Sequence, residues 1–232
     1  MLTIKDRDLI KKMKKLLPLV FVLMLGAIVS RAQNADADKA AQYTKVITGR
    51  ADKIVAKLGI TDSAKYKRVL AIIVDQYRGI NDIHDARNAQ AKVIKEQAGD
   101  DKASATAKIK ALDDELELKA NNMHYVYIGK LGAELDVNKV EKVKDEMTYD
   151  LVRITYNAYL AEVLTLTELQ KLQIKAWLIE AREHAIDAES SDKKHAVFGK
   201  YKGRINNYLS AQGYDMKKEG EEWQKRIKAA AN

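Results

Sequence analysis

From Asp62 onward the apolar positions of the chain recur with the period of an α-helix. Tyr66, Val69, Ile73, Tyr77, Ile80, His84 and Ile94 fall on one stripe of a segment running to about Gln97. Gly99-Asp100-Asp101 interrupts it, and a second stripe follows through Ile109, Leu112, Leu116, Ala120 and Met123. A C-cap glycine, a short acidic turn and a second periodic run predict an antiparallel helical hairpin. At 1.5 Å per residue its first arm is roughly 50 Å long. Later helices are predicted over about 166–188, 192–210 and 215–230, with Gly213 between the last two. Leu172, Ala176 and Ile179 on one side of the 166–188 segment, and Ile174, Leu178, Ala181 and Ala185 on the other, predict a helix sandwiched between neighbours. Tyr125-Val126-Tyr127-Ile128-Gly129 has strand propensity, and Thr148 to Thr155 fits helix or strand equally.

Three segments share one helix-start pattern: Gly59-Ile60-Thr61-Asp62, Glu134-Leu135-Asp136-Val137 and Thr165-Leu166-Thr167-Glu168. In each, an apolar residue precedes an Asp or Thr able to cap the N–H groups of the first turn.

The N-terminus changes the picture. Met13-Lys14-Lys15 precedes an apolar run from Leu16 to Val29, and Ser30-Arg31-Ala32 follows. A basic region, an apolar core shorter than the roughly 20 residues that span a bilayer and a small-x-small site predict a secretory signal peptide. On this reading residues 1–32 are the signal, with Met13 as the better start, and 33–36 form a short flexible N-terminus. A single all-helical domain occupies 37–230. Residues 1–32 carry a net charge of +5, so the mature chain keeps only +3 of the total +8. The basic balance is therefore no nucleic-acid signature. The chain has no cysteine, which excludes disulfides, thiolate metal sites, a Cys nucleophile and a lipoprotein anchor. Its one proline, Pro18, lies within the signal. A mature chain free of proline and rich in Ala, Lys, Leu and Glu predicts an all-α fold, an elongated helical bundle built on the long hairpin.

Two constellations are candidates for chemistry. Gln173, Trp177, Glu180 and His184 are spaced four, three and four, on one helical face. An indole offers a stacking plane for a sugar ring, and the flanking Gln, Glu and His offer hydrogen bonds to its hydroxyls. Tyr156, Asn157 and Tyr159 add a Tyr/Asn segment suited to the same ligand. A polar cluster, Asn81, His84, Asp85 and Asn88, is the second candidate, with His84 continuing the apolar stripe and oriented by a neighbouring carboxylate. Glu180 and His184 supply only two ligands, so no metal site and no cofactor are expected. The basic run Gly199-Lys200-Tyr201-Lys202-Gly203-Arg204 lacks phosphate-loop spacing but suits an acidic group such as a uronate. On the last helix Trp223 is the expected anchor, and Lys218, Glu222 and Arg226 are expected to pair on a solvated face. No catalytic motif is present.

The C-terminal half carries a resemblance. Thr155-Tyr156-Asn157-Ala158-Tyr159-Leu160, Leu166-Thr167-Glu168, Lys175-Ala176-Trp177-Leu178-Ile179-Glu180-Ala181-Arg182-Glu183, Lys200 to Leu209 and Gly213-Tyr214-Asp215 resemble an uncharacterised domain-of-unknown-function family. Asp75-Gln76-Tyr77 and Asn81 to Asp85 fit the same resemblance. The family consists of secreted Bacteroidetes proteins often encoded near polysaccharide-utilisation genes, which implies a glycan-associated role and supplies no catalytic residues. Leu166-Thr167-Glu168-Leu169-Gln170 is also similar to the Leu-Thr-x-x-Gln motif of small periplasmic stress chaperones, from which Ile60-Thr61-Asp62-Ser63-Ala64 departs at both ends. The expectation is a periplasmic or secreted, non-lipidated protein that binds acidic or neutral plant-type polysaccharide, with no nucleic-acid partner and no membrane attachment after cleavage. A chaperone-like or structural helical protein is the rival, and a glycan-active enzyme the third reading.

Overall fold

The computed structural model describes residues 38–230, so the predicted signal peptide and the 33–36 segment lie outside the described residues. The described residues fall into two units, 38–49 and 50–230. The first is helical. The second opens with helical residues 50–56 (α1) and continues as α2 (Ser63–Gln97), α3 (Lys102–Glu134), α4 (Val137–Met147), α5 (Leu151–Glu162), α6 (Glu168–Ile186), α7 (Ser191–Ala211) and α8 (Met216–Ala230). The fold is an all-α bundle with no strand among the described residues. No helix described is long and apolar enough to cross a membrane.

Local chemistry sets the helix starts where the pattern placed them. Asp62 accepts from the Ala64 and Lys65 amides at 2.8 and 3.2 Å, and Asp136 from the Lys139 amide at 3.0 Å. Thr167 and Gln170 form a reciprocal capping box, the Gln170 amide donating to the Thr167 hydroxyl and the Thr167 amide to Gln170 Oε1. Gly99, at φ +50, turns the chain between α2 and α3. The two arms pack along their stripes, Val69, Ile73 and Ile80 of α2 and Tyr127 and Leu131 of α3 being buried. A Cβ on Gly79 would meet the Met123 methyl and push this flexible side-chain end aside.

A second core lies among α5, α6 and α7, built from Tyr159, Ile174, Leu178, Phe198, Ile205 and Leu209. It orients α6 and α7 side by side and so fixes the turn between them.

The fold corrects three expectations and decides one that was open. Tyr125 to Gly129 is helical, because α3 buries Tyr127 and Leu131 one turn apart, and that packing overrides strand propensity. At Thr148–Thr155 the chain leaves α4 through Tyr149 and Asp150, both left-handed at φ 60 and 56, and enters α5. The α6 helix is not sandwiched: Ile174, Leu178, Ala181 and Ala185 are buried, while Leu172 is 64% and Leu169 79% exposed. Arg226 leaves the solvated face expected for it and donates to the Ala161 and Glu162 carbonyls at 2.7 and 2.9 Å, closing the C-terminus of α5, while Glu222 pairs with Lys225.

Candidate functional site

The Trp177 constellation forms a ridge along α6 and α7. Tyr201 donates to Glu180 Oε1 at 2.9 Å, and the Arg204 guanidinium reaches Glu180 Oε2 at 3.5 Å. The same guanidinium lies 4.6 Å over the Trp177 ring, Tyr208 meets that ring edge-on at 5.2 Å, and His184 stacks on Tyr201 at 6.3 Å. Burial, with the hydrogen bond to Glu180 adding to it, pushes the Tyr201 phenol up to about 12. Gln173 is half-buried on the same helix. Trp177 thus packs against the α5–α7 core and carries an arginine on its face, where a sugar would have to displace the cation–π contact.

The Tyr156–Tyr159 segment does not join this ridge. Tyr156 packs on the core with the Lys175 ammonium 6.0 Å from its ring centre. Lys175 and Trp177, two residues apart, point to different sides of α6. Tyr159 is buried, its hydroxyl donating to Asn206 Oδ1 at 2.7 Å and the Lys202 carbonyl at 3.2 Å. That leaves Asn157, which is exposed, as the freely presented polar group of the three.

The second cluster divides. Asn81, half-buried on α2, donates to the exposed Asp85 at 2.7 Å. His84, half-buried, and Asn88, exposed, reach the α6–α7 turn. His84 Nε2 lies 3.1 Å from the Asp187 carbonyl oxygen, which only accepts, so Nε2 carries the proton. His84 Nδ1 faces Glu189 Oε2 at 3.4 Å, and Asn88 donates to the same oxygen at 3.4 Å. The carboxylate that orients His84 is therefore Glu189 and not Asp85.

Beside His84 opens a cleft of about 440 Å³, and each of its walls is a helix face. The α2 wall is His84, Arg87 and Asn88, spaced three and one. Asp113 and Leu116, three apart, come from α3, with Asp113 bound to Arg87 at 2.5 and 2.7 Å. The α7 wall is Lys193, Ala196, Val197 and Lys200, at i, i+3, i+4 and i+7. Ala188 and Glu189 close the end between them.

A partly buried ionic network holds the turn that carries Glu189. The Asp187 carboxylate accepts from Gln76 at 3.2 Å and from His124 Nδ1 at 3.0 Å. His124 Nε2 lies 3.4 Å from Glu183, which also meets Lys144 at 3.1 Å and Arg182 at 2.9 Å. Arg182 continues to Asp145 at 2.6 Å and to Glu141. Hydrogen bonds to Asp187 and then Glu183, working against burial, raise the His124 imidazole to about 9. Burial by itself raises the Glu183 carboxyl, but hydrogen bonds from His124, Arg182 and Lys144 bring it down to about 2. Lys194, buried and pushed down to about 8 by that burial, donates to the Ala185 and Ile186 carbonyls at 3.0 and 2.8 Å. The turn is thereby fastened from α2, α3 and α7 at once.

Sequence reasoning found His84 and Asn88 and missed Asp113, Glu189, Lys193, His124 and Asp187. The α7 spacing was a readable signal, since two lysines bracketing Ala196 and Val197 on one face is unlike a uniformly solvated surface. Chemically, the cleft offers hydrogen-bond donors and acceptors around a small apolar floor. No group of three or more ligating side chains able to hold a metal occurs among the described residues.

A family model described as protein of unknown function (DUF3826) matches residues 44–229. No protein of curated function matches the chain.

Proposed function

The chain belongs to the DUF3826 family, proteins of unknown function, and from its own geometry we propose that it is an exported glycan-binding protein, an accessory of polysaccharide utilisation. The observation that carries this reading is the cleft at His84. Hydroxyl-rich ligands need donors and acceptors that are fixed before binding, because each flexible group ordered on binding weakens affinity. Asn88, Glu189, Asp113 and Arg87 are tied to one another or to His84 across the cleft mouth. Leu116, Ala196 and Val197 offer an apolar floor for the C–H face of a sugar ring. The signal-like leader and the resemblance to secreted proteins encoded near polysaccharide genes support the same role.

The test is thermal unfolding of the purified protein against neutral and acidic oligosaccharides. A ligand present at about 100 times its dissociation constant adds roughly 2.7 kcal/mol to stability. A selective rise in midpoint that Asn88→Ala removes is the expected result, and a flat panel refutes the reading. Product formation in the same samples turns the binder into an enzyme.

A second reading rests on a different feature. Leu169, Leu172, Ala176 and Ile179 are exposed along one face of α6, and Leu164 precedes them. An apolar strip of this kind suits a chaperone-like or structural protein that docks unfolded or partner chains. Suppression of client aggregation, abolished by Leu169→Glu with Leu172→Glu, favours it over the glycan reading.

A further inference from the structure

We infer that the ligand of the His84 cleft is an acidic oligosaccharide, held through carboxylates on two separate sugar units by Lys193 and Lys200. The inference rests on the glycan reading above and names its substrate class. The charges of the cleft are unequally satisfied. Arg87 is bound to Asp113, and Glu189 is engaged by His84 and Asn88. Lys193 and Lys200 line the same space and have no carboxylate partner among the described residues. Two cations are therefore left over on one wall.

Their spacing says what they fit. Seven residues is two helical turns, about 10.5 Å along the axis. With the two side chains standing out in parallel, two carboxylates on a chain laid along α7 each meet one ammonium group, whereas a single carboxylate or phosphate must draw both flexible side chains together across that span. Ala196 and Val197 lie between the lysines on the same face, so the stretch joining the two anions rests on an apolar surface. A neutral glycan replaces the displaced ammonium hydration with hydroxyl hydrogen bonds alone, and an acidic one replaces it with the stronger charge-assisted pairs.

The test is calorimetric titration with oligouronides of galacturonate, glucuronate and mannuronate, each beside the same oligosaccharide with its carboxyls reduced to alcohols. The acidic member is expected to bind about tenfold tighter, the sum of two exposed ion pairs. That preference should shrink when salt is raised from about 20 to about 200 mM. The double variant Lys193→Gln/Lys200→Gln, in two exposed side chains, should bind both members alike. Inorganic phosphate and the single uronate should bind at least about tenfold more weakly than the oligouronide. Equal binding of acidic and reduced oligosaccharides overturns the inference and leaves glycan binding standing. Phosphate binding as tightly as the oligouronide also overturns it, by making the site a simple anion site. No binding by any oligosaccharide overturns the glycan reading beneath it.

Discussion

Raising the pH should remove a defined part of the stability by discharging His124. Its imidazole is only 15% exposed and lies between Asp187 at 3.0 Å and Glu183 at 3.4 Å. Both carboxylates hold its proton, lifting the group from 6.5 to about 9. Below pH 6.5 the imidazole is charged in folded and unfolded chains alike, and its stabilisation is fully present. Between 6.5 and about 9 the unfolded chain releases the proton that the folded one keeps, so stability falls as pH rises. Above about 9 the contribution is gone. At about 1.4 kcal/mol per pKa unit the whole effect has an upper bound of about 3.4 kcal/mol. Glu183 is 30% exposed, and water around it screens its share, so we expect about 2 kcal/mol.

The assay is urea unfolding followed by far-UV circular dichroism, comparing the protein with His124→Gln. Glutamine keeps a hydrogen-bond donor and does not titrate. Lys194 also changes charge in this range, but it is common to both chains and drops out of their difference. The stability gap between them should be about 2 kcal/mol wider at pH about 6 than at about 9.5. A gap that stays constant across that range refutes a charged His124 in the folded protein, and with it the ionic fastening of the α6–α7 turn.

Other perturbations follow from the same network and from the backbone. Glu183, lowered from 4.5 to about 2, contributes stability that is present above pH 4.5 and lost as pH falls through about 2, so Glu183→Gln should flatten the acid-unfolding transition. Arg182 is 4% exposed and meets three carboxylates that are 30–42% exposed, two of which keep Lys144 as a partner; Arg182→Met should therefore cost about 2 kcal/mol in urea unfolding, chiefly through Asp145, while an unchanged stability contradicts the network. Asp150 at φ 56 makes no side-chain cap bond, so Asp150→Gly should relieve left-handed strain and raise the melting midpoint by about 1–2 °C, about 0.5 kcal/mol net of its exposed pair with Arg153. An unchanged or lowered midpoint shows that the turn is not strained.

What the sequence makes legible is the face that each residue takes on its own helix. Asp62, Asp136 and Thr167 act within three residues of themselves, so a cap can be read without knowing the fold. Ile174 and Leu178 against Leu172 show where that ends: both sets are apolar and helical in period, and only the positions of α5 and α7 decide which is buried. His84 shows the same limit at the site. Its place on the inward stripe of α2 was readable, and Asp85 was the nearest carboxylate in sequence. The carboxylate that faces it is Glu189, and its carbonyl partner, Asp187, is 103 residues away. Likewise Lys193, Ala196, Val197 and Lys200 spell one face of α7, and that face becomes a wall only because the α6–α7 turn, tied by His124, Gln76 and Lys194, brings it opposite α2. The ionic network therefore matters to function through geometry: it decides which faces meet. Loosening it should widen the cleft before it unfolds the protein.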